Sequence, residues 1–339
     1  MRVTNAMMSN RMLTNVNRNL TLLDKYNTQG STGKKIQVPS DDPIIASRSL
    51  KFRTMLAETE QYAKNASDAS SWVDATESVF VNMNRILEDM KGLMTQGAND
   101  SYTLEDRQKI LTEYMSLVDQ LEQELNSDYM GRNLFSGFRT DKKPIIKDDQ
   151  GKNILNPEIY GKPDDPNTPG DDSIQSITGQ KIEVQVGAGI TVEVNSLATD
   201  IYDQQDYDAL RGVTNAKFDK SFDQVLEEIK NLSTDEERKQ WEEANDLRAQ
   251  MANTMKSIED FQAKLSVQDT DTGVRSKRIE LVQTRLEDDK VNYETVKSEN
   301  EDANIAEVMM NYNTANAAYT ASLSIGMKIT QITLADYLR

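Results

Sequence analysis

Four short clusters in the 339-residue sequence have the composition of chemical sites. Adjacent Asp41 and Asp42 could form a carboxylate pair for acid–base or glycosidic chemistry. Asp148-Asp149-Gln150-Gly151 and Asp171-Asp172 offer the oxygen ligands that calcium takes. Gly187-Ala188-Gly189 could let a phosphate approach the backbone. Each falls short of its motif. The acidic clusters lack the alternating spacing and distal glutamate of a calcium loop, so they read as solvated loops. The glycine pair lacks a third glycine and a following helix, and reads as a turn. Asp42-Pro43 has the order of a helix N-cap and first helical position, so Asp41, Asp42 and Pro43 are taken as cap and turn residues.

The rest of the composition narrows the chemistry further. There is no His and no Cys. The usual general base near neutral pH, the commonest metal ligand, the thiol nucleophile and the disulfide are all missing. An enzyme built here would rely on carboxylates, Lys, Tyr or Ser. No catalytic, metal-binding or cofactor-binding residue is assigned. The expectation is a non-enzyme with no cofactor.

Charge is uneven along the chain. The net charge is −17, yet residues 1–53 hold nine Lys or Arg against three Asp. An acidic body disfavours nucleic-acid backbones. Met1–Asn19 lacks the apolar run of a signal peptide, and no stretch of about 18 apolar residues could span a bilayer, so membrane insertion is not expected.

The elements that would position any site come from proline placement and apolar spacing. All seven prolines lie at positions 39–43 or 144–169, leaving 44–143 and 170–339 free of the strongest helix breaker. Ala66, Ala69, Val73, Thr76, Phe80, Met83, Leu87, Met90 and Met94 alternate at three and four, a heptad seam. Leu111, Tyr114, Val118, Leu121 and Leu125 continue in a second helix, with Gly92, Gly97, Asn99 and Asp100 as the turn between them. Ala244, Leu247, Met251, Thr254, Ile258, Phe261 and Leu265 form a third seam. After a break at Asp269–Gly273, Ile279, Val282, Leu286, Tyr293 and Val296 form a weaker one. In the middle, Lys181–Val186 and Ile190–Val194 alternate as the strands of a β-hairpin, and Asp164–Asp172 is a loop.

The chain ends repeat at the same spacing: Leu13, Val16, Leu20 and Leu23, then Ala315, Ala318, Ser322, Ile325, Ile329 and Ile332. They are Asn-rich and short of large apolar side chains, so they are marginal alone and need partners. Apart from Ser322, these residues are the expected subunit contacts. Met7, Met8 and Met12 suit an adaptable contact face, whereas Met83, Met90 and Met94 suit core. Arg2, Arg11, Arg18, Lys25, Lys34 and Lys35 suit acidic surfaces of neighbours.

The expected fold is mainly α with an inserted β-rich domain, the long helical bundle being formed by both chain ends. Its divisions are 1–42, an assembly helix and turn disordered in the monomer; 43–137, the first half of the bundle; 138–215, the inserted domain; 216–300, the second half; and 301–339, a C-terminal assembly helix.

Four stretches resemble the flagellin superfamily. They are Met1-Arg-Val-Thr-Asn5; Gly33-Lys-Lys-Ile-Gln-Val-Pro-Ser-Asp-Asp-Pro-Ile-Ile-Ala46; Gly131-Arg-Asn-Leu-Phe-Ser-Gly137; and Glu301-Asp-Ala-Asn-Ile-Ala306 together with Thr333-Leu-Ala-Asp-Tyr-Leu338. The resemblance implies a secreted, extracellular, structural axial component of the bacterial flagellum. Its partners would be copies of itself in a ring, an upstream hook-associated protein, flagellin and a cytoplasmic export chaperone, with export by the flagellar type III apparatus. Pro43 after Asp42, and Asp336-Tyr-Leu before Arg339, depart from flagellin itself and favour a component joining hook to filament. A flagellin subunit is the alternative, and a secreted carbohydrate-active enzyme with an acidic pair in the inserted domain the remote one.

Overall fold

The computed structural model describes residues 5–148, 151–161, 176–214, 219–232 and 234–337; side chains at 5, 235, 242–243 and 329–337 lie outside that description. The elements run α1 (Asn5–Thr32), α2 (Pro43–Gly97), α3 (Leu104–Glu124), β1 (Asp128–Tyr129), β2 (Arg132–Asn133), β3 (Ile145–Lys147), β4 (Asn153–Leu155) and α4 (Pro157–Tyr160). They continue as β5 (Glu183–Gly187), β6 (Ile190–Glu193), α5 (Ala198–Ile201), α6 (Gln204–Leu210), α7 (Phe222–Lys230), α8 (Asp235–Asn245), α9 (Leu247–Glu301) and α10 (Ile305–Tyr337). Two compact units result: Met1–Gln61 with Leu286–Arg339, and Tyr62–Arg285. Both α2 and α9 contribute a segment to each.

In the larger unit, apolar periodicity becomes core. All nine seam positions from Ala66 to Met94 are at most 2% exposed, and Leu111, Tyr114, Val118, Leu121 and Leu125 are fully buried. Leu247, Met251, Ile258, Phe261 and Leu265 of α9 join the same hydrophobic cluster. Three helices bury heptad stripes together, and the same cluster takes in Phe135, Ile145, Ile159 and Tyr202 of the middle region.

Three boundaries differ from the sequence reading. Gly92 lies inside α2, which continues to Gly97; with Met90 and Met94 buried on either side, packing outweighs the roughly 1 kcal/mol that a helical glycine costs. The expected break at Asp269–Gly273 is absent, and α9 runs through it. There Thr272 is 2% exposed and continues the seven-residue spacing of Leu265 and Ile279. Arg275 also ties the helix down, donating from Nη1 to the Asn195 carbonyl at 2.6 Å. Ala244 is exposed on α8 rather than in a seam, because the chain turns at Asp246 (φ 38°) before α9 starts.

Among the described residues the middle region holds three two-stranded antiparallel hairpins, β1–β2, β3–β4 and β5–β6, with the short α4 after the second and α5 and α6 after the third. The expected hairpin is β5–β6, with Val184 opposite Val192 and Gln185 opposite Thr191. The Asp164–Asp172 loop lies outside the described residues. Gly212 (φ +92°) is required where it stands: a Cβ there would meet the Phe222 ring at 2.9 Å.

Candidate assembly site at the paired chain ends

In the smaller unit, α1 and α10 pack against one another. The face α10 turns to α1 includes Val308 and Ala315, 6% and 7% exposed, with Tyr319 and Ser322 part-buried and Gly326 buried. Gly326 leaves room that Met12 fills, since a Cβ there would collide with the Met12 thioether. Asn19 Nδ2 donates to Ser322 Oγ at 2.9 Å and to the Ala318 carbonyl at 3.4 Å. The seam is therefore thin, made of small and polar groups with few large side chains. Such a seam adds little hydrophobic stabilisation to two long helices.

At one end of this pair the two connecting segments are joined by backbone. α1 stops at Gly33 (φ +69°), whose N–H donates to the Gln29 carbonyl at 2.9 Å, the geometry of a glycine helix stop. Lys35 N–H then donates to the Glu301 carbonyl at 2.7 Å, and Ala303 N–H to the Gly33 carbonyl at 2.8 Å. Two of the four flagellin-like stretches thus form one structural joint.

Glu301 is the centre of that joint and is 2% exposed. Arg53 Nε and Nη2 donate to its Oε1 and Oε2 at 2.9 and 3.0 Å, a bidentate clamp. Ser49 Oγ donates to Oε1, and Lys34 Nζ lies 3.3 Å from Oε2. Lys34 also reaches Asp302 Oδ1 at 2.6 Å. The Arg53 hydrogen bonds, aided by Ser49 and Lys34, hold the Glu301 carboxyl down at about 2. Sequence reasoning missed this role. Glu301 was visible within a motif, but Ser49 and Arg53 lie about 250 positions away and no local periodicity links them.

The cap residues use their carboxylates on backbone. Asp42 Oδ1 accepts from the Ile44 and Ile45 N–H groups at 3.0 and 3.1 Å, and Pro43 opens α2. Asp41 Oδ2 accepts from Gln37 and Val38 N–H at 2.9 and 3.2 Å, and those amide bonds lower its pKa.

The subunit-contact candidates divide into two sets. Val16 and Leu23 are part-buried and, with Ala315, belong to the helix pair. Leu13 and Leu20 are 53% and 46% exposed and Ile325 is 58% exposed; Ala318 is exposed as well. These four do not join a matching seam within the chain, as the three-and-four spacing had suggested. Asn19 and Gly326 occupy the facing positions instead. The side chains of Ile329 and Ile332 lie outside the described residues, as do Arg2, Asp149, Asp171 and Asp172. Met7 and Met8 are 45% and 39% exposed, and Arg11, Arg18 and Lys25 are exposed at seven-residue intervals. Between Glu307 and Lys328 the sequence of α10 carries no charge, yet Met309, Met310 and Met327 are 56–62% exposed. A helix that is uncharged all round and covered on one face has apolar surface left for further contacts.

The larger unit has a cleft of about 820 Å³ lined by Asp119, Glu122, Lys143, Arg211, Asp223 and neighbouring residues. Glu122 is its fully buried carboxylate. Arg211 Nη2 pairs with Glu122 Oε2 at 2.9 Å, and Tyr202 donates to Oε1 at 3.1 Å. Burial pushes the Glu122 carboxyl up, with Arg211 opposing. Asp203 and Asp206, the close acidic pair of the inserted region, cap α6 and share Lys264 Nζ at 2.9 and 2.7 Å. These carboxylates are tied to structural partners. Among the described residues no group of three or more acidic side chains could hold a metal ion, and no helix is long and apolar enough to cross a membrane.

Two terminal helices pair in the smaller unit, and residues 3–140 match the model of the bacterial flagellin N-terminal helical region. More particularly, the chain is similar to flagellar hook-associated protein 3 of Escherichia coli, 31% identical over 131 residues covering 38% of this chain and 41% of that protein. The corresponding Salmonella typhimurium protein is 30% identical over 146 residues, 43% of this chain and 46% of that one. The matches span less than half the length of these curated relatives. The fold is shared with a flagellar hook-associated protein from Vibrio parahaemolyticus, TM-score 0.58 at 22% identity, over 77% of this chain and 100% of that one. The flagellin-like resemblance of the stretches up to Gly137 is the likeness that the family model finds over residues 3–140.

Proposed function

We propose that the chain is a structural, non-catalytic axial protein of the bacterial flagellum that joins the hook to the filament. One observation carries this reading: two terminal helices pair through a thin seam while leaving Leu13, Leu20, Ala318, Ile325 and an uncharged stretch of α10 uncovered. Copies of the chain in a ring, with an upstream hook-associated protein on one side and flagellin on the other, would supply the missing cover. The ends order when neighbours provide apolar surface, as in folding coupled to binding. Ile329 and Ile332 continue the same contact set in sequence, and the cationic stripe of α1 suits acidic neighbours. A Cys-free chain with marginal ends also suits export unfolded through the flagellar type III apparatus with a cytoplasmic chaperone. Deleting the coding sequence tests the role. Hooks without filaments, and intact flagellin shed into the medium, are expected. Normal filaments in the deletion strain would overturn it. The alternative, a flagellin subunit, draws on the flagellin match of residues 3–140 and requires the purified chain to elongate filament seeds by itself.

A further inference from the structure

Within the smaller unit, α1 has two faces that could meet α10. The one in contact repeats through Met12, Val16, Asn19 and Leu23, all part-buried. The one beside it repeats through Leu13, Val16, Leu20 and Leu23, yet Leu13 and Leu20 are 53% and 46% exposed. The same choice recurs on α10. Ala315, Tyr319, Ser322 and Gly326 face α1, whereas Ala318 and Ile325 stay outside. The two faces lie about 50° apart round each helix, at about 100° per residue. Apolar burial gives no reason to turn Asn19 inward in place of Leu20, or Gly326 in place of Ile325.

The polar contacts supply the reason. Asn19 Nδ2 donates to Ser322 Oγ at 2.9 Å and to the Ala318 carbonyl at 3.4 Å. Ser322 Oγ donates to that same carbonyl at 2.7 Å, so three groups from two helices close one network. Seven residues before Asn19, Met12 fills the gap over Gly326 on the same face. Turning Leu20 inward would carry the Asn19 amide off Ser322 and Met12 off its gap. A polar side chain in a helix seam costs stability and fixes how the helices meet. We propose that Asn19, through Ser322, selects which face α1 turns to α10 and thereby keeps Leu13 and Leu20 outward. Without that bond the pair rolls towards its Leu13–Leu20 face, one packing of the two helices giving way to another. The inference deepens the proposed function, on which it rests for its consequence in assembly; the orientation itself is a property of the single chain.

The absence of cysteine makes the orientation readable by disulfide trapping in the dilute full chain. Gly30 stands opposite Val308, and Met12 opposite Gly326; the same register puts Leu23 level with Ala315 and Leu20 level with Ala318. Leu23→Cys with Ala315→Cys is a reporter common to both seams, and Leu20→Cys with Ala318→Cys faces inward only in the rolled pair. Each reporter is oxidised with Asn19 and Ser322 retained, with Asn19→Leu, and with Ser322→Ala. The common reporter is expected to form an intrachain disulfide in all three. The second is expected to rise several-fold with Asn19→Leu and with Ser322→Ala. An unchanged yield of the second reporter would overturn the inference. Failure of the common reporter in any of the three chains would do the same, since there would then be no paired state in which a face is chosen. Asn19→Leu without reporters is also placed in cells lacking their own copy. Loss of filaments with unchanged reporters would overturn the selector and keep the flagellar role; altered reporters with normal filaments would keep the selector and count against Leu13 and Leu20 as contacts in that role.

Discussion

A carboxylate ringed by an arginine, a lysine and a serine, as Glu301 is, ties its environment to pH in a definite direction. Its folded pKa of about 2 lies below the ordinary 4.5. The stabilisation is therefore complete above about 4.5 and lost as pH falls towards 2. The shift corresponds to roughly 3 kcal/mol, reduced in practice because the Arg53 side chain is 57% exposed. Glu301→Gln is expected to destabilise the terminal unit by about 2 kcal/mol at neutral pH and to flatten the acid limb of a denaturation profile. An unchanged acid limb would remove Glu301 from this role. In the larger unit, Glu122→Ala leaves Arg211 buried without its main partner. A cost of about 3–5 kcal/mol is expected, read as a lower urea midpoint.

Between elements, the distinction that matters is how much apolar surface each seam covers. The α2, α3 and α9 seams were readable in sequence because their heptads hold Leu, Met, Phe and Val, and burial follows that spacing over 66–94, 111–125 and 247–265; on the weaker stretch of α9 it does not, since Val296 is 40% exposed. The α1–α10 seam was readable only as periodicity. Its facing positions are Asn19, Ala315, Ser322 and Gly326, which apolar spacing cannot separate from neighbouring Leu13, Leu20 and Ala318. The Asp269–Gly273 break failed for a related reason. Turn-forming composition is a local preference, and a buried Thr272 with a clamped Arg275 overrides it. The Glu301 joint was not readable at all, since its partners converge from distant parts of the chain. The exposed set gives an element-level expectation. Leu13→Asp with Leu20→Asp should change the stability of the isolated chain by no more than about 0.5 kcal/mol, while abolishing its incorporation into assembled flagella. A large loss of monomer stability in a thermal melt would place these residues in the core instead.

For the molecule as a whole, the two units differ in how they are held. The larger has a continuous core of fully buried aromatic, Leu and Met side chains. The smaller has a thin seam and a polar joint, and it contains residues 1–53, which are basic while the rest of the sequence is acidic. Under the proposed function, that contrast is what ends that stiffen only among neighbours require. Hydrogen exchange followed on the dilute monomer and again on the assembled form tests it most directly. In the monomer, amides of 5–32 and 305–337 are expected to exchange orders of magnitude faster than those of 66–94, and to become protected on assembly. Protection of both end helices in the dilute monomer equal to that of 66–94 would contradict it.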